Sequence, residues 1–372
     1  MNDTLPNGWK WSPLIDVATL QRGYDLPVKK RVSGDIPVFA ANGPIGTHNE
    51  AKVKGPGVVT GRSGSIGKVH FAESDFWPLN TSLFVKDFHR NNPRFVFYLL
   101  KSLHLERYHE GTGVPTLNRN NVHGVKVPLP PLPEQKRIAS ILDKVDALRL
   151  KREQAITKLD DLLQSVFLDM FGDPVTNPKG WDESLLGDVI HSAKDGPHVS
   201  PKYSDSGIPF LSTRNIKRGK VVWKDLKYID SDEADRQWKK CKPERGDILY
   251  TKGGTTGIAV CKDFEEPIAI WVHIALLKTN FNLVSPFWLE CMLNTSYCYT
   301  QSQRYTHGIA NKDLGLTRMI KIKMYKPPLK LQKQFTKLYK KVKQLTTSKS
   351  TSLSVLNSLF ESVQKQAFKG EL

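Results

Sequence analysis

The feature that most constrains this chain is an internal duplication. Gly8-Trp9 recurs as Gly180-Trp181, Leu14-Ile15-Asp16-Val17 as Leu186-Gly187-Asp188-Val189, and Asp35-Ile36-Pro37-Val38 as Gly207-Ile208-Pro209-Phe210, all at an offset of 172. The segment from Val58 to Gly67 then matches Ile248 to Gly257 at an offset of 190. Pro130-Pro131-Leu132 with Gln135-Lys136 matches Pro327-Pro328-Leu329 with Gln332-Lys333 at 197. An ordered series with a growing offset is one plan written twice, the second copy lengthened mostly between Ile208 and Ile248. Two related halves also fit the two or three domains that 372 residues allow.

Each copy has two parts. Residues 1–133 and 174–330 carry short strand-like runs (Gly57 to Thr60, Lys68 to Phe71, Ser82 to Val85) between Gly, Pro and Asn turn signals. Helices are expected from Pro13 to Leu20 with Ser12 as cap, from Pro93 to Leu105, and from Pro286 to Leu293. These parts read as α+β domains. Residues 134–173 and 331–372 read as long helices. A proline-rich hinge (Pro128, Pro130, Pro131, Pro133) blocks helix before the first, and neither Pro nor Gly interrupts Glu134 to Phe171. On a heptad frame Ile138, Val145, Leu159 and Val166 take a positions, and Ile141, Leu148 and Leu162 take d positions. The second copy places Phe335, Val342, Leu356 and Val363 at a, and Leu338, Leu345 and Leu359 at d, with Arg152 and Lys349 at the same a position of their frames. This coiled-coil seam predicts two paired helices about 55 Å long; a helix packed only on its own domain is the alternative. Connectivity makes the pairing antiparallel, with the domains at opposite ends and approximate twofold symmetry. The fold expected is two repeated α/β domains joined by two long antiparallel coiled-coil helices.

Charge narrows the function. Lys and Arg number 55 against 37 Asp and Glu, a net +18. The domains carry net +6 and +7 and the helices −1 and +6. Two basic modules point to a polyanion, nucleic acid above all; a merely basic soluble protein is the bland alternative. No apolar run approaches the roughly 20 residues of a membrane span. The N-terminal residues lack the basic and apolar regions of a secretion signal, and Cys241, Cys261, Cys291 and Cys298 have no CxxC spacing. A cytoplasmic protein with reduced thiols is expected.

Catalytic signatures fail on inspection. Gly61 to Lys68 resembles a phosphate-binding P-loop, but the glycine spacing is wrong and Val69 stands where Ser or Thr is needed. His104 and His109 are too far apart for a zinc-protease motif. Glu134-Gln135-Lys136 has a nuclease-like spacing, yet the second copy reads Leu331-Gln332-Lys333, so Glu134 is better explained as a first-turn acid facing the helix dipole. The tetrad of amino-methylating DNA enzymes is absent. No catalysis, cofactor or metal is expected of this chain.

The candidate DNA contacts are the repeated Gly-rich turns, where small residues let backbone N–H groups approach phosphate. They nominate Arg62, Ser63, Ser65 and Lys68 in the first copy and Lys252, Thr255 and Thr256 in the second, a plain tight turn being the competing reading. Weaker nominees are Lys29, Lys30, Arg31, Asn118, Arg119, Asn120, Arg214, Asn215, Lys217, Asn311 and Lys312, among them side chains able to pair with base edges. The insertion bearing Trp223 and Trp238 reads as extra core or as a DNA-contact loop.

Pro128-Leu129-Pro130-Pro131-Leu132-Pro133-Glu134-Gln135-Lys136-Arg137-Ile138-Ala139 opening a long helix closely resembles the specificity subunit of Type I restriction–modification enzymes. So do Leu163 to Phe167 with Phe171-Gly172, Lys326-Pro327-Pro328-Leu329, and Gln364 to Leu372; Lys330-Leu331-Gln332 departs from the usual Pro-Glu-Gln. The resemblance covers essentially the whole chain. It implies two target recognition domains (1–133 and 174–330) that each read half of a bipartite double-stranded DNA site. A central (134–173) and a distal (331–372) spacer helix would set their separation. It further implies two DNA methyltransferase (modification) subunits bringing S-adenosylmethionine, and two restriction subunits bringing ATP and magnesium. Competing readings are a stand-alone nuclease using Glu134 and the recognition portion of a single-chain restriction–methyltransferase.

Overall fold

The computed structural model describes residues 5–110, 115–308 and 312–372. The chain forms two compact units, Met1–Ala155 with Lys349–Leu372, and Ile156–Ser348.

The first unit is built on a four-stranded antiparallel sheet with strands in the order Thr19–Arg22, Ser82–Asp87, Gly57–Gly61, Val69–Ala72. A smaller sheet (Gly43–His48, Ile36–Ala40, Trp77–Pro78) lies beside it in sequence and includes one parallel pair. Helix α1 (Pro93–Ser102) starts where the sequence predicts: Asn92 caps it by accepting from the Phe95 N–H, and Pro93 supplies a helix-ready φ. Phe95 to Leu100 are all buried, so α1 is a core helix. Helix α2 (Arg119–His123) leads to the strand Lys126–Leu129, which pairs with Lys10–Pro13 and feeds the proline hinge into helix α3 (Leu132–Phe171).

One expected helix is replaced. Pro13 to Leu20 forms only a 3-10 turn at Leu14–Asp16, Ser12 lies in a strand, and Thr19 already belongs to the main sheet. Val17 still has helical backbone as the last residue of the turn, but the β-branched Thr19 favours extended backbone, and pairing with Ser82–Asp87 outweighs the start signal of Ser12-Pro13.

The second unit repeats the plan. Its main sheet runs Ile190–Asp195, Ile274–Thr279, Ile248–Thr251, Ala259–Cys261, the same order strand for strand. A three-stranded sheet (Lys227–Ile229, Ile208–Leu211, Ala269–Ile270) again contains one parallel pair. The lengthened segment supplies a hairpin, Ile216–Lys217 with Lys220–Val221, and helix α4 (Ser231–Cys241), whose Asp230 cap accepts from the Glu233 N–H. Helices α5 (Pro286–Leu293), α6 (Ser296–Tyr305) and α7 (Leu316–Met319) follow, and the strand Lys323–Lys326 pairs with Asp182–Leu185 before helix α8 (Leu329–Lys369). Trp238 donates to the Ile268 carbonyl and packs with Phe210 and Ile229, so it is core; Trp223 is 44% exposed and lies edge-on to Phe264 at 4.9 Å.

Helices α3 and α8 contribute residues to both units. Within the first unit they pair antiparallel, since Arg137 donates to the Leu372 carbonyl at 2.9 Å and Arg149 to Asn357 at 2.7 Å. Within the second, Phe167 and Phe171 close on Phe335 at 5.6 and 5.4 Å between ring centroids.

The heptad frame needs a correction of one residue. The expected a positions Ile138, Phe335 and Val342 are buried, and Val145, Leu159, Val166, Leu356 and Val363 half-buried. Of the expected d positions, Ile141 is half-buried, but Leu148, Leu162, Leu338, Leu345 and Leu359 are exposed (53%, 47%, 44%, 50% and 46%). The inward set lies one residue later, at Leu142, Arg149, Ile156, Leu163 and Met170 on α3 and at Tyr339, Thr346, Leu353, Phe360 and Ala367 on α8. Adjacent apolar pairs such as Ile141-Leu142 and Leu162-Leu163 satisfy either frame. Bulky Tyr339 and Phe360, packed into the domain cores, decide between them.

The repeated glutamine of the hinge explains itself. Gln135 accepts from the Asn92 N–H at 2.9 Å and donates to the Pro130 carbonyl at 3.0 Å and to Asn91 at 2.8 Å. Gln332 does the same with the Ser285 N–H at 2.8 Å and the Pro327 carbonyl at 2.8 Å. Both side chains are buried, and each ties the start of a long helix to the cap of its domain's core helix. Gln332→Leu strands a buried N–H and a buried carbonyl and should cost about 2 kcal/mol or more in urea unfolding. Gln332→Glu, which as a carboxylate cannot donate to Pro327, should cost nearly as much at neutral pH; wild-type stability in both variants would dismiss the staple.

Candidate nucleic-acid interface

The two Gly-rich turns occupy equivalent places and use the same backbone pattern. In the first unit Arg62 and Ser63 donate their N–H groups to the Thr81 carbonyl, Gly64 to Pro115, and Leu117 donates back to Arg62. In the second, Lys252 and Gly253 donate to His273, Gly254 to Lys312, and Leu314 back to Lys252. Gly64 (φ +82°) and Gly254 (φ +68°) sit at open tips in the left-handed region that favours glycine. The N–H groups of Arg62, Ser63, Gly64, Lys252, Gly253 and Gly254 are therefore spent on protein carbonyls. The expected phosphate cradle gives way to a clasp that pins the following loop, as the tight-turn reading had it.

The clasp nevertheless gathers candidate side chains. In the first unit a cleft of about 680 Å³ lies between the end of the Thr19–Arg22 strand, the turn and the start of α2. Arg62, Asn118 and Arg119 line it, joined by Arg22 and Tyr24, which sequence reasoning passed over. Among the described residues Arg22 has only a loose partner, Asp25 at 4.0 Å, and Arg62 donates weakly to the Asn80 carbonyl at 3.4 Å. Asn118 also caps α2 by accepting from the Asn120 N–H. Ser63 and Ser65 are half-buried on the turn, Lys68 is exposed just after it, and Asn120 is exposed on α2. Lys29 and Lys30 lie on a separate exposed 3-10 turn, Val28–Lys30; Arg31, which follows, has its Nε buried without a hydrogen-bond partner.

The second unit differs at the same positions. Arg22 lies opposite Leu83, which lies opposite Thr60; Asp195 lies opposite Ala275, which lies opposite Tyr250. Asp195 thus stands where the first unit has Arg22, and Lys252 where it has Arg62. They pair at 3.5 Å, and Lys252 also meets Asp313 at 3.1 Å while Asp195 accepts from Lys240 at 2.8 Å. Both partners of the central pair are nearly buried, at 8% and 10% side-chain exposure. Burial opposes ionisation of Asp195, but the Lys240 bond and the charges of Lys252 and His198 outweigh it and hold the carboxyl below its ordinary range.

Three further nominees are structural. Lys252 is locked in this network. Asn215 is buried, bonded to Ser212 and to the Val222 carbonyl, because a turn this tight needs an amide to replace missing backbone bonds. Thr256 is buried and shares hydrogen bonds with Thr306 and Gln303. Thr255, Arg214, Lys217 and Lys312 are exposed, and Asn311 lies outside the described residues. The sequence carried no such signal for Arg22, because the repeat's offset of 172 sets it against Lys194, and only the strand register puts it in the place of Asp195.

The nuclease nominee is also accounted for. Glu134 accepts two bonds from Arg137 at 2.8 Å, which hold its carboxyl below the usual range. Among the described residues no three or more His, Cys, Asp or Glu side chains are grouped to hold a metal ion. No described helix is long and apolar enough to cross a membrane.

Comparison with known proteins matches residues 6–159 and 178–358 to the Type I restriction modification DNA specificity domain. The MjaVIII type I restriction enzyme specificity subunit of Methanocaldococcus jannaschii is 23% identical over 68% of this chain and 63% of its own length. The EcoBI specificity subunit of Escherichia coli is 25% identical over 76% of this chain and 66% of its own. The chain thus spans just under two thirds of these two relatives. The crystal structure of the S subunit of a type I restriction–modification system from M. genitalium superposes with a TM-score of 0.65 at 16% identity, covering 99% of this chain and 97% of that one, a likeness of fold.

Removing Lys252 leaves the nearly buried Asp195 carboxylate with Lys240 and His198 as its remaining partners. Lys252→Met should therefore cost about 3 kcal/mol, the low end for breaking a buried pair. Because the folded Asp195 pKa is lowered, the pair's contribution is full at neutral pH and fades as pH falls through the carboxylate range. Urea unfolding as a function of pH should show the gap between variant and wild type closing in acid; a constant gap would refute the account.

Proposed function

The chain belongs to the Type I restriction–modification DNA specificity family, and on that premise we propose how it works as the specificity subunit of such a system. It is the recognition subunit, not a catalyst. Each recognition domain, 1–133 and 174–330, reads one half of a bipartite site in double-stranded DNA. The paired helices α3 and α8 act as the ruler between the half-sites and as the platform for two modification subunits, which bring S-adenosylmethionine. Two restriction subunits add ATP- and magnesium-dependent cleavage, and the assembly works in the cytoplasm. The adenines to be methylated are flipped into the modification subunits, so this chain's task is to hold and register the duplex.

The observation that carries this reading is the charge inversion on a shared frame. One clasp presents Arg22 and Arg62 at a cleft, and its twin neutralises the same positions as Asp195 and Lys252. A homodimer of identical readers would favour a symmetric site; two diverged readers in one chain suit two unlike half-sites. Arginine pairs bidentately with guanine O6 and N7, so Arg22, Arg62 and Arg119 favour a guanine in the half-site read by the first domain. The half-buried Ser63 and Ser65 and the exposed Lys68, Asn118, Asn120, Arg214, Lys217, Thr255 and Lys312 serve as phosphate or base contacts around these centres.

Coexpression with the modification subunit, followed by mapping of methylated adenines, tests the reading. Replacing residues 1–125 with another family member's first domain should change one half of the methylated sequence alone; change in both halves would contradict modular recognition. Arg62→Gln should relax the same half, at about 1–3 kcal/mol of discrimination per lost bidentate contact. For the ruler, a heptad inserted after Leu162 should lengthen the nonspecific spacer or abolish modification while both half-site sequences persist. Unchanged spacing with full activity would remove the ruler.

A further inference from the structure

The second unit carries a cationic hairpin that no counterpart in the first unit matches. The 3-10 turn Thr213–Asn215 and the strands Ile216–Lys217 and Lys220–Val221 present Arg214, Lys217, Arg218, Lys220 and Lys224, all exposed. No acidic residue interrupts 214–224, and none of the five cations has a salt-bridge partner among the described residues. Lys217 and Lys220 lie directly opposite each other across the two strands. Facing like charges destabilise a hairpin unless something neutralises them.

Backbone hydrogen bonds and a buried Ile216 tie the hairpin down, which keeps the two lysines facing each other. Val222 donates to the Asn215 carbonyl at 2.7 Å, Asn215 donates to the Val222 carbonyl at 3.1 Å, and Ile216 is buried in the core. The Gly219 N–H donates to the Ala259 carbonyl at 3.1 Å, and the Gly219 carbonyl accepts from Lys343 of α8. Arg218 lies over the Tyr299 ring at 5.1 Å, and Tyr299 flanks Gly257 at the end of the clasp turn. Arg218 therefore adjoins the clasp whose own lysine is locked away.

We propose that this hairpin is a sequence-independent clamp on the phosphates of duplex DNA, serving the second recognition domain in place of Lys252. The proposal rests on the DNA-recognition reading above and adds the surface that would supply unspecific affinity. An acidic protein is the poorer fit: protein interfaces have a desolvated apolar core, and the one large exposed apolar side chain here, Trp223, lies edge-on to Phe264. Dense, regularly spaced phosphates neutralise together five cations that have no ion-pair partner among the described residues.

The test uses the specificity subunit assembled with its modification subunits, comparing a duplex that carries the methylated site with an unrelated duplex. Replacing Lys217, Lys220 and Lys224 together by Gln should reduce the slope of log affinity against log salt by about 0.9 per lost contact, between two and three in all. Affinity should fall by similar factors on both duplexes, and the methylated sequence should stay the same. The matching triple Arg variant should keep the wild-type slope. An unchanged slope in the Gln variant, an altered methylated sequence, or loss of a modification subunit with DNA binding intact would each overturn the clamp. Absence of salt-dependent binding in the wild-type complex would instead overturn the underlying DNA-recognition reading.

Discussion

One buried glutamine side chain in each copy holds together the two parts that the chain must coordinate. Gln135 and Gln332 each accept from the N–H of a core-helix cap and donate to a carbonyl of the proline hinge. A proline hinge offers carbonyls without N–H groups, so its acceptors need a donor from elsewhere, and an amide supplies donor and acceptor at once. A carboxylate or an aliphatic chain of the same size can do only part of this. The staple sets how each long helix leaves its domain, and everything carried by the helix inherits that direction.

A second contact reinforces the first by opposite means in the two units. Tyr98 on α1 donates to Asp143 on α3, whereas Tyr339 on α8 donates to Glu290 on α5. The phenol and the carboxyl have exchanged sides while the bond between domain and long helix is kept. Burial pushes the Glu290 carboxyl above its usual range, against the bonds it accepts from Tyr339 and the Cys261 N–H. The duplication thus preserved geometry and left residue identity free wherever another pair could make the same link. That freedom extends to the clasp, where Arg22 and Arg62 of one unit became Asp195 and Lys252 of the other.

Much of the frame was legible because it depends on local rules. Asn92-Pro93 and Ser285-Pro286 announce helix starts, and the runs around Val58, Val69 and Leu83 are strands because β-branched and apolar residues alternate with turn formers. The misreadings arose where a local signal competed with distant packing. Ser12-Pro13 is a sound helix start, yet the sheet takes Thr19 to Arg22. Leu148 and Leu162 make a sound heptad, yet Tyr339 and Phe360 turn the seam by one residue.

The sequence by itself determined the duplication, the strand runs around Val58, Val69 and Leu83, the starts of two core helices, the two long helices, the basic character of both domains and the family, since repeats, periodicity and charge are properties of the chain before it folds. Only the tertiary structure decided which cations are free. Lys252 and Arg214 are both basic residues near polar turns, but one sits between Asp195 and Asp313 and the other is exposed with no ion-pair partner among the described residues. Residues that meet across strands 50 or more positions apart, such as Asp195 with Lys252, leave no local pattern in the sequence. Their pairing is fixed by sheet register, and register exists only once the chain has folded.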